Sequence, residues 1–291
     1  MTYHAAQPVV IWLWDELARY GPGLAALTML AAVSGRIRHS IDGGSLGQTT
    51  PPYRLPPAAV WAIVVLPLGW WLWCLWASLA REAFFLAITS EDGWMENGQV
   101  LLLGLGSATS GLLSRSLWMR RYRGWALGYL LLALALFWTA GEEISWGQRV
   151  LRLSTPAWFE SHNTQQEMNL HNLGNVDVAL SDLTDHALSW TVLLISVAWL
   201  TGLHRVKRLH APLWLPHPSL IPAFCCMVSY GEILSLSQLL HPGTQKASPG
   251  TLQLQEPREM ILYFSVLAFL LIVRATLRDR PEPAPARVDG S

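Results

Sequence analysis

The stretch GWALGYLLLALALFWTAGEEISWGQRVL, residues 124–151, decides how the chain is read. From Gly124 to Glu142 an α-helix would rise roughly 27 Å at 1.5 Å per residue, close to the ~30 Å hydrocarbon thickness of a bilayer. The run is apolar until Glu142 and Glu143. A charge at the bilayer centre costs at least ~2.5–3.5 kcal/mol on insertion scales. Two adjacent carboxylates therefore mark the boundary of a span, and ionisable residues in such a place are functional candidates by default. Continued as a helix, residues 142–149 set Glu142, Ser145 and Arg149 on one side with Trp146 beside them and Gln148 nearby. The expectation is that Arg149 pairs with Glu142 and leaves Glu143 as a metal ligand or general base.

Composition agrees with a membrane protein. Of 291 residues, 52% are hydrophobic and only 14% charged, against about 25% charged in soluble domains. Mean hydropathy is +0.29. Sixteen Trp fit a chain with two membrane–water interfaces, where Trp collects. The net charge of zero gives no reason to expect nucleic acid. Cys74, Cys225 and Cys226 lie inside apolar runs with no CxxC or Cys/His zinc spacing, so they read as small buried hydrophobes.

Seven apolar segments reach spanning length: 9–34, 57–80, 95–114, 124–143, 186–204, 217–240 and 259–275. The first is the weakest, interrupted by Asp15, Glu16, Arg19 and the GPG at 21–23; an interfacial helix with a short span is the other way to read it. No basic n-region or cleavage site marks a removable signal peptide. Basic residues cluster at Arg36, Arg38 and Arg54; at Arg115, Arg120, Arg121 and Arg123; at Arg205, Lys207 and Arg208; and at Arg274, Arg278 and Arg280. Excess Lys and Arg marks cytoplasmic loops. The four clusters fall at alternate ends of the seven spans, which sets the N-terminus outside and the C-terminus in the cytoplasm. The expected fold is thus an all-α polytopic membrane bundle in one domain, residues 1–277, with an outer polar segment at 144–185. Residues 278–291, RDRPEPAPARVDGS, are rich in Pro and polar groups and read as a disordered tail. The small residues of GLGSATSG, 104–111, favour close helix approach.

With this topology the acids sort to the outer side. Glu91, Asp92 and Glu96 open the third span, Glu142 and Glu143 close the fourth, Glu232 lies in the outer half of the sixth, and Glu256 and Glu259 open the seventh. A second polar patch, HNTQQEMNLHNLGNVD, occupies 162–177. On a helix Asn163, Glu167 and His171 share a face at i, i+4 and i+8. Glu and His at that spacing grip one metal ion, the geometry of the HExxH zinc sites, and Asn169 and Asn172 add amides. The expected metal ligands are Glu143, Glu167 and His171, for a divalent ion. His186, His204, His210 and His217 read as structural or solvated; His241 is a second candidate at the outer end of its span.

GEEISWGQR followed by Asn163, Glu167 and NLHNL at 169–173 resembles a group of uncharacterised multi-pass bacterial membrane proteins, which implies a bacterial inner-membrane location and no particular mechanism. The adjacent Glu142 and Glu143 with a later Arg149 are more loosely similar to the glutamate-type intramembrane proteases of the CAAX-processing kind; the later spans lack a clear FxxxH and HxxxN pair. Three functional classes follow. The first is an outer-leaflet hydrolase or transferase, metal-assisted, acting on a lipid, a lipid-linked molecule or a membrane peptide, with Glu142, Glu143 and Arg149 catalytic. The second is a proton- or cation-coupled transporter using Glu142, Glu143 and Glu232. The third is a non-catalytic assembly subunit whose polar patch docks a partner. The sequence does not fix the oligomeric state.

Overall fold

The computed structural model describes residues 55–90, 93–163, 166–170, 173, 213–229 and 254–278, with single positions between 187 and 201; the side chains of Pro57, Arg149 and Val150 lie outside that description. The architecture is helical. In chain order come α1 (Pro57–Ala80), α2 (Glu82–Ile88), α3 (Trp94–Met119), α4 (Arg123–Glu143), α5 (Gln148–Leu151), α6 (Ala157–His162), α7 (Pro218–Ser229) and α8 (Gln255–Arg278). Among the described residues no strand forms; one isolated bridge joins Asn163 and Leu173.

Four helices, Ala58–Ala80, Trp94–Met119, Arg123–Glu143 and Gln255–Arg278, are long and apolar enough to cross a membrane. They correspond to the expected spans at 57–80, 95–114, 124–143 and 259–275. Only 28–44% of each apolar window is buried inside the protein. The remainder includes Leu127, Leu130, Leu131, Leu134, Phe137 and Trp138 along α4, all exposed. Soluble monomers rarely expose so continuous an apolar face, so lipid is the natural neighbour of this one. The expected span 9–34 lies outside the described residues, and 186–204 and 217–240 are described only in part, the latter as the shorter apolar helix α7.

α3 and α4 form an antiparallel pair. Ser107, Ser110 and Ser114 of α3 donate to the carbonyls of Ala133, Tyr129 and Ala126 at 2.7–2.8 Å. The descending partner numbers fix the antiparallel sense. Such interhelical bonds stabilise by about 0.6 kcal/mol each in a membrane, and small residues allow the backbones to approach. The small-residue stretch at 104–111 therefore does serve packing. α8 joins this pair in the same direction as α3: Gln99 meets Glu256, and Gly106 lies against Leu270. These relative senses are those that the charge clusters imply. Leu103, Leu113, Leu117, Tyr129, Leu270 and Val273 fill the space between the three helices. A second apolar cluster, with Cys74, Phe85, Leu220, Ile221 and Ile261 fully or nearly buried, ties α1, α2 and α7 to α8. The three cysteines are free thiols, Cys74 and Cys226 buried and Cys225 half-buried.

Candidate functional site at the end of α4

The antiparallel and parallel pairings bring the C-terminal end of α4 together with the N-terminal ends of α3 and α8. Glu142 and Glu143 are neighbours in sequence, but an α-helix turns ~100° per residue, so their side chains diverge.

Glu142 turns toward the polar segment that follows. Helix α4 stops at Glu143, and the next residues bend sharply: Ser145, Trp146 and Gly147 have φ of +46°, +55° and +75°. Gly147 adopts the left-handed region freely. Ser145 and Trp146 do not, and each such residue costs of order 1–3 kcal/mol. The bend folds the Trp146 ring back over Gly141, where a Cβ would stand 2.9 Å from the ring carbon Cε3. There Trp146 Nε1 donates to Glu142 Oε1 at 2.7 Å, and the ring packs edge-on to Trp138 at 4.7 Å. Glu142 Oε2 accepts from the backbone N–H of Leu170 at 2.5 Å.

Asn163 and residues 166–170 are held by a continuous polar network. Ser145 Oγ donates to Glu167 Oε2 at 2.5 Å. Asn169 Nδ2 donates to Ser145 Oγ at 3.1 Å and to Glu167 Oε2 at 3.2 Å. Asn163 Nδ2 donates to the backbone and side-chain oxygens of Asn169 at 2.9 and 2.7 Å. Gln148 Oε1 accepts from the N–H of Met168 at 2.7 Å, and its Nε2 donates to Thr155 Oγ1 at 2.6 Å. Thr155 Oγ1 passes the chain on to the Gln166 carbonyl at 2.7 Å. Glu142, Ser145, Gln148, Asn163, Glu167 and Asn169 are all buried. A buried polar network of this kind is stabilising only because its members are bonded.

Glu143 faces the other way. Its Oε1 accepts from the hydroxyl of Tyr263 on α8 at 2.9 Å. The carboxylates of Glu259, Glu256 and Glu96 lie within electrostatic range of it. Gln99, fully buried, donates to the Glu256 carbonyl at 3.1 Å and to its Oε2 at 3.0 Å. Gln255 donates to Glu259 Oε1 at 3.0 Å. The Oε1 of Gln99 has no hydrogen-bond partner among the described residues. Helix N-termini favour acids, which accounts for Glu96 and Glu256 individually. Gathering them with Glu143 and Glu259 requires mutual repulsion to be relieved by donors such as Tyr263 and Gln99.

Several expectations are corrected. Residues 142–149 are not one helix, because the left-handed turn at 145–147 intervenes; Ser145 and Trp146 are placed by that turn. Glu142 accepts from Trp146 and Leu170; its expected pairing with Arg149 lies outside the described residues, which do not include that side chain. Asn163 and residues 166–170 are not helical either. Asn163 ends α6 in an extended conformation and Gln166 has φ of +59°, so the i, i+4 face of Asn163 and Glu167 does not exist. The expected metal ligands Glu143 and Glu167 bond to different elements, Tyr263 and Ser145. Among the described residues no three His, Cys, Asp or Glu side chains stand in a metal-holding arrangement. Glu91, Asp92, His171, Asn172 and Glu232 lie outside the described residues.

Of the expected site residues, Glu142, Trp146, Gln148, Asn163, Glu167 and Asn169 come together in the network, and Glu96 and Glu143 in the acidic cluster. Thr155, Gln99 and Tyr263 are members that the sequence reading does not single out, and Ser145, expected on the Glu142 side of a helix, bonds to Glu167 instead. Glu256, Glu259 and Tyr263 occur at i, i+3 and i+7, one helix face, and that spacing is visible in the sequence. Among the other histidines, His217 is buried and its Nδ1 accepts from the N–H of Ser219 at 3.3 Å, a structural cap. No family model, no curated protein and no solved structure matches the chain.

Proposed function

We propose that the protein is a multi-pass enzyme of the bacterial inner membrane, with seven spans, the N-terminus outside and the C-terminus cytoplasmic. Its site lies at the outer leaflet and carries out hydrolysis or group transfer on a lipid, a lipid-linked molecule or a membrane peptide. The observation that carries this reading is the Glu143–Tyr263 pair at 2.9 Å, set at the bundle end beside Glu96, Glu256 and Glu259. Ionisable groups at such a depth are functional candidates by default. Glu143 takes the proton of the attacking water or hydroxyl and returns it to the leaving group; Tyr263 orients the carboxylate. The likeness to glutamate-type intramembrane proteases is carried by Glu143 alone, since Glu142 is engaged in the polar network.

The same grouping of four carboxylates favours a second reading, a proton- or cation-coupled carrier. One experiment separates the two. Purified protein is reconstituted in vesicles of bacterial lipid extract enclosing a pH-sensitive dye. Lipid and peptide products are followed by mass spectrometry and internal pH by fluorescence. Glu143→Gln is expected to lower product formation at least ~100-fold, the usual scale of a lost general base. Glu160→Gln, on the exposed surface of α6, is expected to leave it unchanged. Equal turnover in the two variants would overturn the assignment. Proton flux without any product, abolished by Glu143→Gln, would replace it with the carrier.

A further inference from the structure

The opposite end of the bundle holds a feature of the other sign. Because α3 and α8 run in the same direction, their C-terminal ends meet. Between them lies a cavity of about 210 Å³ lined by Leu112, Ser116, Arg120, Arg274, Leu277 and Arg278. One water needs only ~10–15 Å³, so this space exceeds a packing defect. Among the described residues no acidic side chain lines it. Unpaired carbonyls at helix C-termini favour cations nearby, which explains why arginines are tolerated there without explaining why three converge on one cavity. Ser116 stands 17 residues beyond Gln99 and Arg274 stands 18 beyond Glu256. At 1.5 Å per residue that is about 26 Å and 27 Å, close to the ~30 Å hydrocarbon thickness. The cavity therefore reaches the interface opposite the acidic cluster.

We propose that this cavity binds the phosphodiester headgroup of an anionic phospholipid. Guanidinium groups form paired hydrogen bonds with phosphate oxygens, and the Ser116 hydroxyl is a further donor. Leu277, buried, and Leu112, exposed at the rim, give the glycerol and upper acyl carbons an apolar wall. Basic pockets between transmembrane helices are known to take anionic headgroups. The site does not depend on the reading of Glu143.

The test is native mass spectrometry of the full-length protein in detergent, titrated with phosphatidylglycerol, phosphatidylcholine or inorganic phosphate. Phosphatidylglycerol is expected to bind at least ~10-fold more tightly than phosphatidylcholine. Each arginine near an anionic headgroup is worth roughly a fivefold change in binding, so Arg274→Gln with Arg278→Gln should lose at least ~10-fold. Arg152→Gln, exposed and beyond the other end of α4, should change binding less than ~2-fold. If the double variant does not fold, Arg278→Gln alone, at an exposed helix end, should still lose roughly fivefold. Equal binding of the two lipids, arginine variants that bind as wild type, or uptake of inorganic phosphate without phosphatidylglycerol would overturn the proposal.

Discussion

Glu142 and Glu143 occupy adjacent positions at the end of one helix and do different things. Glu142 is buried, and its two oxygens accept from Trp146 and from the backbone of Leu170, closing the left-handed turn onto the polar segment. Among the described residues Glu143 accepts from Tyr263, across the bundle, and faces carboxylates. The first environment is filled with donors and makes the carboxylate a structural part. The second gathers like charges, an arrangement that costs stability and is more readily understood as serving chemistry. Chemical type and position along the helix are nearly the same for both residues; the direction of the side chain decides the environment.

The largest effect that would sharpen this contrast is expected from Glu142→Ala. It leaves the Trp146 N–H and the Leu170 N–H without their acceptor. Both hydrogen bonds are partly buried, and an orphaned donor there costs ~1 kcal/mol, toward the low end of the buried range, so a loss of about 2–3 kcal/mol is expected, read by thermal unfolding in detergent. Limited proteolysis should then cut within 163–170. Next in size is Gly141→Ala. Its new methyl group would meet the Trp146 ring at 2.9 Å, and overpacking of this kind costs ~1–3 kcal/mol. Loss of the edge-on Trp138–Trp146 contact should also appear as a change in tryptophan fluorescence. The smallest effect belongs to the other side: Tyr263→Phe removes a single hydrogen bond to Glu143, worth ~1 kcal/mol. If Tyr263→Phe destabilised more than Glu142→Ala, the division between a structural and a working carboxylate would be reversed.

Much of the scaffold is legible in the sequence. Hydropathy alone places α1, α3, α4 and α8 within a few residues, because a span is dictated by length and apolar content. The Arg115–Arg123 and Arg274–Arg280 clusters are assigned to one side by charge, and Arg120, Arg274 and Arg278 indeed line one cavity. The site is less legible, for two physical reasons. Helical periodicity runs through the sequence at 142–149 and on to Glu167, whereas the chain takes positive φ at Ser145, Trp146, Gly147 and Gln166; Gly141 and Gly147 are the local signals for the first turn, one allowing close approach of Trp146 and one the left-handed backbone. The second reason is distance along the chain. Glu143 meets Tyr263 120 residues away, and no local pattern around Glu143 announces a phenol as its partner.

The central claim is tested most directly by an isosteric pair, Glu142→Gln and Glu143→Gln, unfolded side by side in the same detergent. A carboxylate accepts on both oxygens, whereas a Gln amide accepts on one and donates from the other. At 142 the amide must set N–H against either Trp146 Nε1 or the Leu170 N–H, both donors. At 143 the amide oxygen still accepts from Tyr263, and one charge leaves the acidic cluster. The account predicts that Glu142→Gln loses about 2 kcal/mol while Glu143→Gln stays within about 0.5 kcal/mol of wild type. Equal losses in the two variants, or a larger loss at 143, would contradict it.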